Sequence, residues 1–159
     1  MSEWSEKLNQ MKLGEFRKLY GSLEYPPIPS LVGYYQGSFV GPGWLRKIAG
    51  PGLVVSGLGG WWGKRFSGDG TATNLVQRGG VLETRFPMRL VAVTSVIDEN
   101  PGLALHYETD NPFPWPHIAD ELRQLAPGAL LGMTYVKARV LRGLMLPFLL
   151  EHQEGVDGL

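Results

Sequence analysis

The chain has 159 residues, fifteen basic residues balanced by fifteen acidic ones, 43% hydrophobic content and no cysteine. That length fits one domain with a sizeable core, and a formal charge of zero provides no bulk field to recruit nucleic acid or an anionic membrane. The missing cysteines exclude a disulfide framework, thiolate metal sites and cysteine nucleophiles. The opening Met1-Ser2-Glu3-Trp4-Ser5-Glu6-Lys7 has neither the basic nor the apolar region of a signal peptide, and no apolar run reaches the ~18 residues of a spanning helix, so a cytoplasmic protein is expected.

Residues 2–22 are the best helical material. Trp4, Leu8, Met11, Phe16, Leu19 and Tyr20 recur at three- and four-residue steps, and Gly14 is read as splitting the segment or ending a first helix. Glu24-Tyr25-Pro26-Pro27-Ile28-Pro29 cannot be helix interior and serves as an extended connector. These residues, 1–29, form the N-terminal segment. The helix before the first strand could plug or lid a barrel, or pack outside it.

Leu31 to Gly41 reads as the first strand. Alternate residues of a strand share a face, which groups Gly33, Tyr35, Gly37 and Phe39 and so alternates glycine with large rings. Small barrels use such alternation where facing side chains interleave. Gly41 to Gly60 is glycine-rich and irregular, with one short helical turn expected between Gly43 and Gly50. Its tryptophan and branched aliphatics are expected to be shielded from solvent, either as a portal over a cavity mouth or as a core-packed loop.

Strand signals return at Trp61. Strict alternation there places Trp62, Lys64 and Phe66 on one face. Thr71–Gln77 follows after the turn Ser67-Gly68-Asp69-Gly70. Val81–Phe86 and Met88–Ile97 come next, with a bulge or corner at Pro87. Asp98-Glu99-Asn100-Pro101-Gly102 turns into Leu103–Glu108. The stiff loop Asp110–Pro116 carries two exposed-looking rings, Phe113 and Trp115. Ile118–Leu125 is read as a strand in preference to a helical turn, Ala129–Arg139 as a long strand and Leu144–His152 as the last, before a frayed tail over 153–159. About eight short strands separated by turns at steps of ~10 residues predict a mainly β fold. We expect a single antiparallel β-barrel over residues 30–152, lipocalin- or calycin-like, with an N-terminal helical segment.

Four stretches resemble the bacterial proteins that combine a GXWXG domain with a DUF4334 domain: Gly33-x-Tyr35-x-Gly37, Trp61-x-Gly63-Lys64-x-Phe66, Leu130-Leu131-Gly132-Met133 and Pro147-Phe148-Leu149-Leu150-Glu151. Tyr35 stands where the signature has tryptophan, and the loop 110–116 has no counterpart in the family pattern. The resemblance implies a lipocalin-like barrel and carries no settled activity. The opening strand is also similar to that of nitrobindin-like haem barrels, which implies a histidine ligand from among His106, His117 and His152.

Catalytic signatures are mostly missing. Gly57-Leu58-Gly59-Gly60 followed by Gly63-Lys64 fails as a phosphate loop, because Leu58 and Arg65 occupy positions that need glycine and Ser or Thr. There is no Gly-x-Ser-x-Gly or His-Glu-x-x-His, and three scattered histidines predict no metal site. Tyr35, Phe39, Trp62, Phe66, Tyr135 and Phe148 can each face the barrel interior, with Lys64, Arg85, Lys137 and Glu108 as polar groups among or beside them. Mostly apolar walls with a few polar anchors characterise ligand pockets, while a packed core is the bland account of the same set. His106 points into the cavity if the Leu103-Leu105-Tyr107 face packs outside; if that face is the core, His106 is a surface residue.

The leading expectation is a binding protein holding a hydrophobic, lipid-like or carboxylate- or carbonyl-bearing molecule against Tyr35, Phe39, Trp62, Lys64, Phe66, His106, Tyr135 and Phe148. A lysine in such a barrel needs an acidic partner or a ligand oxygen. The alternatives are an isomerase, cyclase or hydratase using Lys64, His106, Glu108 or Tyr135 as acid–base groups, a haem barrel, and an interaction module in which the Phe113-Pro114-Trp115 loop and the N-terminal helix bind a protein or membrane surface. No nucleic-acid partner is expected, and a homodimer is possible in each case.

Overall fold

The computed structural model describes residues 2–138 and 145–156. Eight antiparallel strands close into one barrel in simple sequence order: β1 (Val32–Phe39), β2 (Trp61–Ser67), β3 (Thr71–Arg78), β4 (Val81–Thr94), β5 (Pro101–Tyr107), β6 (Ile118–Ala126), β7 (Ala129–Val136) and β8 (Met145–Gln153). β1 pairs with β2 on one side and with β8 on the other, so no sheet edge remains unpaired. The mainly β barrel expected from the turn spacing is thus the fold. The expected ends of the last two strands, Arg139 and Leu144, lie outside the described residues.

Glycine and ring interleave as the alternation implied. A Cβ at Gly37 would fall within the Trp61 ring, and one at Gly132 within the Phe148 ring. Glycine at both positions lets the rings lie flat across neighbouring strands. Leu31, Tyr35, Phe66, Leu90, Leu122, Leu130 and Leu150 belong to the buried core inside the barrel, where Tyr35 meets Phe66 edge-on at 5.2 Å.

Two short helices, α1 (Glu3–Asn9) and α2 (Leu13–Ser22), lie outside the barrel, where Leu8, Phe16 and Tyr20 pack on Leu131, Met133 and Leu149. The break falls at Gln10–Lys12 instead of Gly14, because the Glu15 carboxylate accepts from the Lys12 backbone N–H and starts α2 before the glycine. A buried network anchors α2 to β6. The Tyr20 hydroxyl donates to Glu121 Oε1 at 3.1 Å, and Arg123 bonds the Tyr20 carbonyl and the Asp98 carboxylate. Burial, then the Glu121 charge, raises the Tyr20 hydroxyl pKa far above its ordinary value.

The stretch expected to be irregular is instead a thirteen-residue helix, α3 (Gly43–Val55), with Pro51 inside it. Gly50-Pro51-Gly52 is poor helix material. Leu45, Ala49 and Leu53 nevertheless recur at four-residue steps and cover the open end of the barrel, so tertiary burial overrides local propensity. The shielding expected of this stretch is not found on its outer side, where Trp44, Val54 and Val55 are exposed.

Candidate functional site

A cavity of about 360 Å³ occupies the half of the barrel beneath α3. Phe39, Trp61, Phe148 and Leu146 contribute to its walls, Leu45, Ala49 and Leu53 of α3 roof it, and Pro114 and Trp115 close one side. The Trp115 indole donates to the Ser56 carbonyl at 2.8 Å, which ties the proline-rich loop to the end of α3. Of the two rings expected to be exposed there, Phe113 is exposed, while Trp115 is buried against Tyr107 and stacked on Phe86. Phe86 reaches Trp115 through a bulge. Thr73 pairs with Pro87 and Asn74 with Arg85, leaving Phe86 as the extra residue at φ +56°.

One connected polar cluster interrupts these apolar walls. Lys64, 2% exposed, places its ammonium 2.9 Å from Asp120 Oδ2 and 2.8 Å from Asn74 Oδ1. A third contact reaches Met88 Sδ at 3.6 Å. Thr134 Oγ1 donates to the other Asp120 oxygen at 2.8 Å, and the Trp61 indole N–H donates to Asn74 Oδ1 at 3.1 Å. Asn74 Nδ2 donates to the Tyr107 hydroxyl oxygen at 2.9 Å. The ammonium also lies 5.7–5.9 Å from the ring centroids of Trp61, Tyr107 and Phe148, within reach of cation–π attraction. A buried lysine is tolerable only when paired and hydrogen-bonded, and here all three ammonium protons have partners. Burial first, then the Asp120 charge, raises the Tyr107 pKa well above its ordinary value, so its hydroxyl remains a proton donor through the neutral range.

Of the residues expected at the site, Phe39, Lys64 and Phe148 line the cavity. Tyr35 and Phe66 face the interior but form its packed core. Burial raises the Tyr35 hydroxyl pKa. Three expectations are corrected. A register shift between Trp61 and Gly63 interrupts strict alternation, so Trp61 joins Lys64 and Phe66 inside and Trp62 does not line the cavity. Leu103, Leu105 and Tyr107 form the core face of β5, which puts His106 on its outer face, where burial and then nearby Lys137 lower the imidazole pKa. On β7 the outward set is Leu131, Met133 and Tyr135, so Tyr135 is buried outside the barrel and Thr134 lines the cavity in its place.

Glu108 pairs with Arg89 at 3.1 Å on the barrel's outside, and Arg85 and Lys137 do not line the cavity. Of the proposed acid–base set, only Lys64 is therefore in place. His117 and His152 are exposed, and none of the three histidines lines the cavity, so the haem reading finds no axial ligand there. Among the described residues no group of three or more His, Asp or Glu is placed to hold a metal ion, and no helix is long and apolar enough to cross a membrane.

Sequence reasoning missed Asn74, Tyr107 and Asp120. A signal was present: Ala72-x-Asn74-x-Val76 and Ile118-x-Asp120-x-Leu122 each place one polar residue at the centre of an apolar strand face. Such a residue is either a solvated edge or, as here, half of a buried pair.

No family model matches the chain, and no curated protein matches it. A solved structure of a protein from Thermomonospora curvata is similar in fold, with a TM-score of 0.69 at 20% sequence identity, covering 91% of this chain and 89% of that one.

Proposed function

We propose that this protein binds a small, largely apolar molecule inside the barrel. One observation carries the reading: the cavity beneath α3 has apolar walls broken at one place by a connected polar cluster of Lys64, Asp120, Thr134, Asn74 and Tyr107. Its volume lies in the lower part of the ~300–1,000 Å³ range of small-molecule sites, whose character is the same mixture of apolar wall and few polar anchors. Binding is favoured over catalysis because His106, Glu108 and Tyr135 lie outside the cavity, and Lys64 is already engaged by Asp120 and Asn74.

The test is titration with N-phenyl-1-naphthylamine, a neutral apolar fluorophore, against the wild type and Ala49→Trp. The substitution fills the roof from α3 without touching the polar cluster. The reading expects saturable one-to-one binding that the tryptophan abolishes. Equal binding by both proteins, or none by either, would overturn it.

A further inference from the structure

The hydrogen bonds around Asn74 fix which polar group the cavity can accept. The Lys64 ammonium and the Trp61 indole can only donate, and both end on one side-chain atom of Asn74, which must therefore be Oδ1. The amide nitrogen then faces Tyr107 and donates to its hydroxyl oxygen. Because Tyr107 accepts along that direction, its own O–H proton is directed elsewhere, and no acceptor among the described residues receives it. Unpartnered buried donors are rarer and costlier than under-used oxygen lone pairs. Tyr107 lines the cavity, so the missing acceptor belongs to the occupant.

Charge narrows the class further. The three Lys64 protons go to Asp120, Asn74 and Met88, and both Asp120 oxygens are engaged, by Lys64 and Thr134. The cluster is thus electrically balanced before any ligand arrives. A carboxylate would have to displace Asp120 from Lys64 or lie beside it in a low-dielectric interior, and like charges there repel strongly.

We propose that the cavity selects a neutral molecule whose polar end is a carbonyl oxygen, received by the Tyr107 hydroxyl. This rests on the barrel being a small-molecule binder. The test is calorimetric titration with three matched probes, 2-acetylnaphthalene, 2-isopropylnaphthalene and 2-naphthoate, on the wild type and Tyr107→Phe. The substitution removes one oxygen and keeps the ring, and a thermal melt confirms its folding. The ketone is expected to bind about tenfold tighter than the hydrocarbon, a full hydrogen bond's worth, and to lose that advantage in Tyr107→Phe while the hydrocarbon is unaffected. Naphthoate binding as tightly as the ketone, or a ketone preference that survives Tyr107→Phe, overturns the carbonyl assignment and leaves the binding reading standing. Failure of all three probes to bind overturns both.

A separate observation concerns the outer face of α3. Trp44, Lys47, Pro51 and Val55 recur at three- and four-residue steps on the side away from the cavity, all of them exposed. Phe113, 83% exposed, stands beside Pro114 at the same mouth. A surface helix apolar on both faces needs a covering partner. The only charges of the helix are Arg46 and Lys47, and the sequence holds no Asp or Glu between Glu24 and Asp69. Two copies docked through this face would bring lysines together with no acidic residue of the helix to offset them.

We infer that this face docks onto an anionic lipid surface, with the apolar side chains entering the headgroup boundary and Lys47 meeting phosphates, while Arg46 is turned to the Gly41 carbonyl at 3.0 Å. The test is co-sedimentation of the full chain with vesicles of phosphatidylcholine alone or mixed with phosphatidylserine. Binding to the mixed vesicles is expected, weakened about tenfold by Lys47→Glu and by Val55→Asp, both at exposed positions. No sedimentation with the mixed vesicles, sedimentation that neither substitution weakens, or a dimer that Val55→Asp dissociates overturns the assignment.

Discussion

The Lys64–Asp120 pair allows the sharpest energetic test of the polar cluster. Its side chains are 2% and 4% exposed and its charged atoms are 2.9 Å apart, so removing one charge leaves the other in the interior without its counter-charge. Breaking such a pair typically costs ~3–5 kcal/mol, whereas replacing both members by neutral groups of similar size is far cheaper. Lys64→Met keeps the stem volume and leaves Asp120 with Thr134 alone. Asp120→Asn keeps the shape and leaves Lys64 with only neutral partners. Each single variant is expected to lose ~3–5 kcal/mol, with Asp120→Asn at the lower end because the amide oxygen can still accept from Lys64. For a chain of this size that corresponds to roughly 6–20 °C in melting temperature. The double variant is expected to lose well under the sum, with a coupling of ~2 kcal/mol or more. Urea unfolding of the four proteins measures this. Singles that cost under ~1 kcal/mol each and add in the double would refute the buried-pair account.

Three further outcomes follow from other parts of the structure. Asp98 is held down to about 2 by its Arg123 hydrogen bonds, below its ordinary carboxylate value, so its contribution is complete above pH ~4 and is lost as pH falls toward 2; Asp98→Asn should flatten that limb of a melting-temperature profile. Gly132→Ala drives a methyl into the Phe148 ring and should cost ~1–3 kcal/mol in urea unfolding, with Phe148→Leu relieving part of the loss in the double variant. Trp115→Phe removes the indole bond to Ser56 and should raise amide exchange in α3 while costing only ~1 kcal/mol of global stability.

The barrel was legible because turn residues punctuate the chain at strand-length intervals, and because glycine must face Trp61 and Phe148 for the rings to fit. Strand faces were less legible, since they depend on register. At β2 a bulge exchanged Trp61 for Trp62 while leaving Lys64 and Phe66 inside. On β5 the apolar alternation Leu103-Leu105-Tyr107 was an adequate guide to the core face, and His106 was placed at the site only by granting the opposite orientation. On β7 both faces are apolar, because the outer one receives α1 and α2, and nothing local distinguishes Tyr135 from Thr134. Asp120 was obscured by a segment whose Ala-Asp-Glu-Leu-Arg sequence suits a helix as well as a strand. Lys64 was recognised as needing an acidic partner; that partner is across the barrel in space, more than fifty residues away along the chain. Helix α3 was hidden by Gly50-Pro51-Gly52, since its stability comes from covering a cavity that local sequence does not reveal.

The space beneath α3 is proposed to hold one small apolar molecule. Native mass spectrometry tests it most directly, on freshly purified protein and again after addition of excess 2-acetylnaphthalene, for the wild type and Ala49→Trp. One adduct per wild-type chain is expected in the second spectrum, present or exchangeable in the first, and a bare chain for Ala49→Trp in both. A bare wild-type chain in both spectra, or an adduct that Ala49→Trp retains, would contradict it.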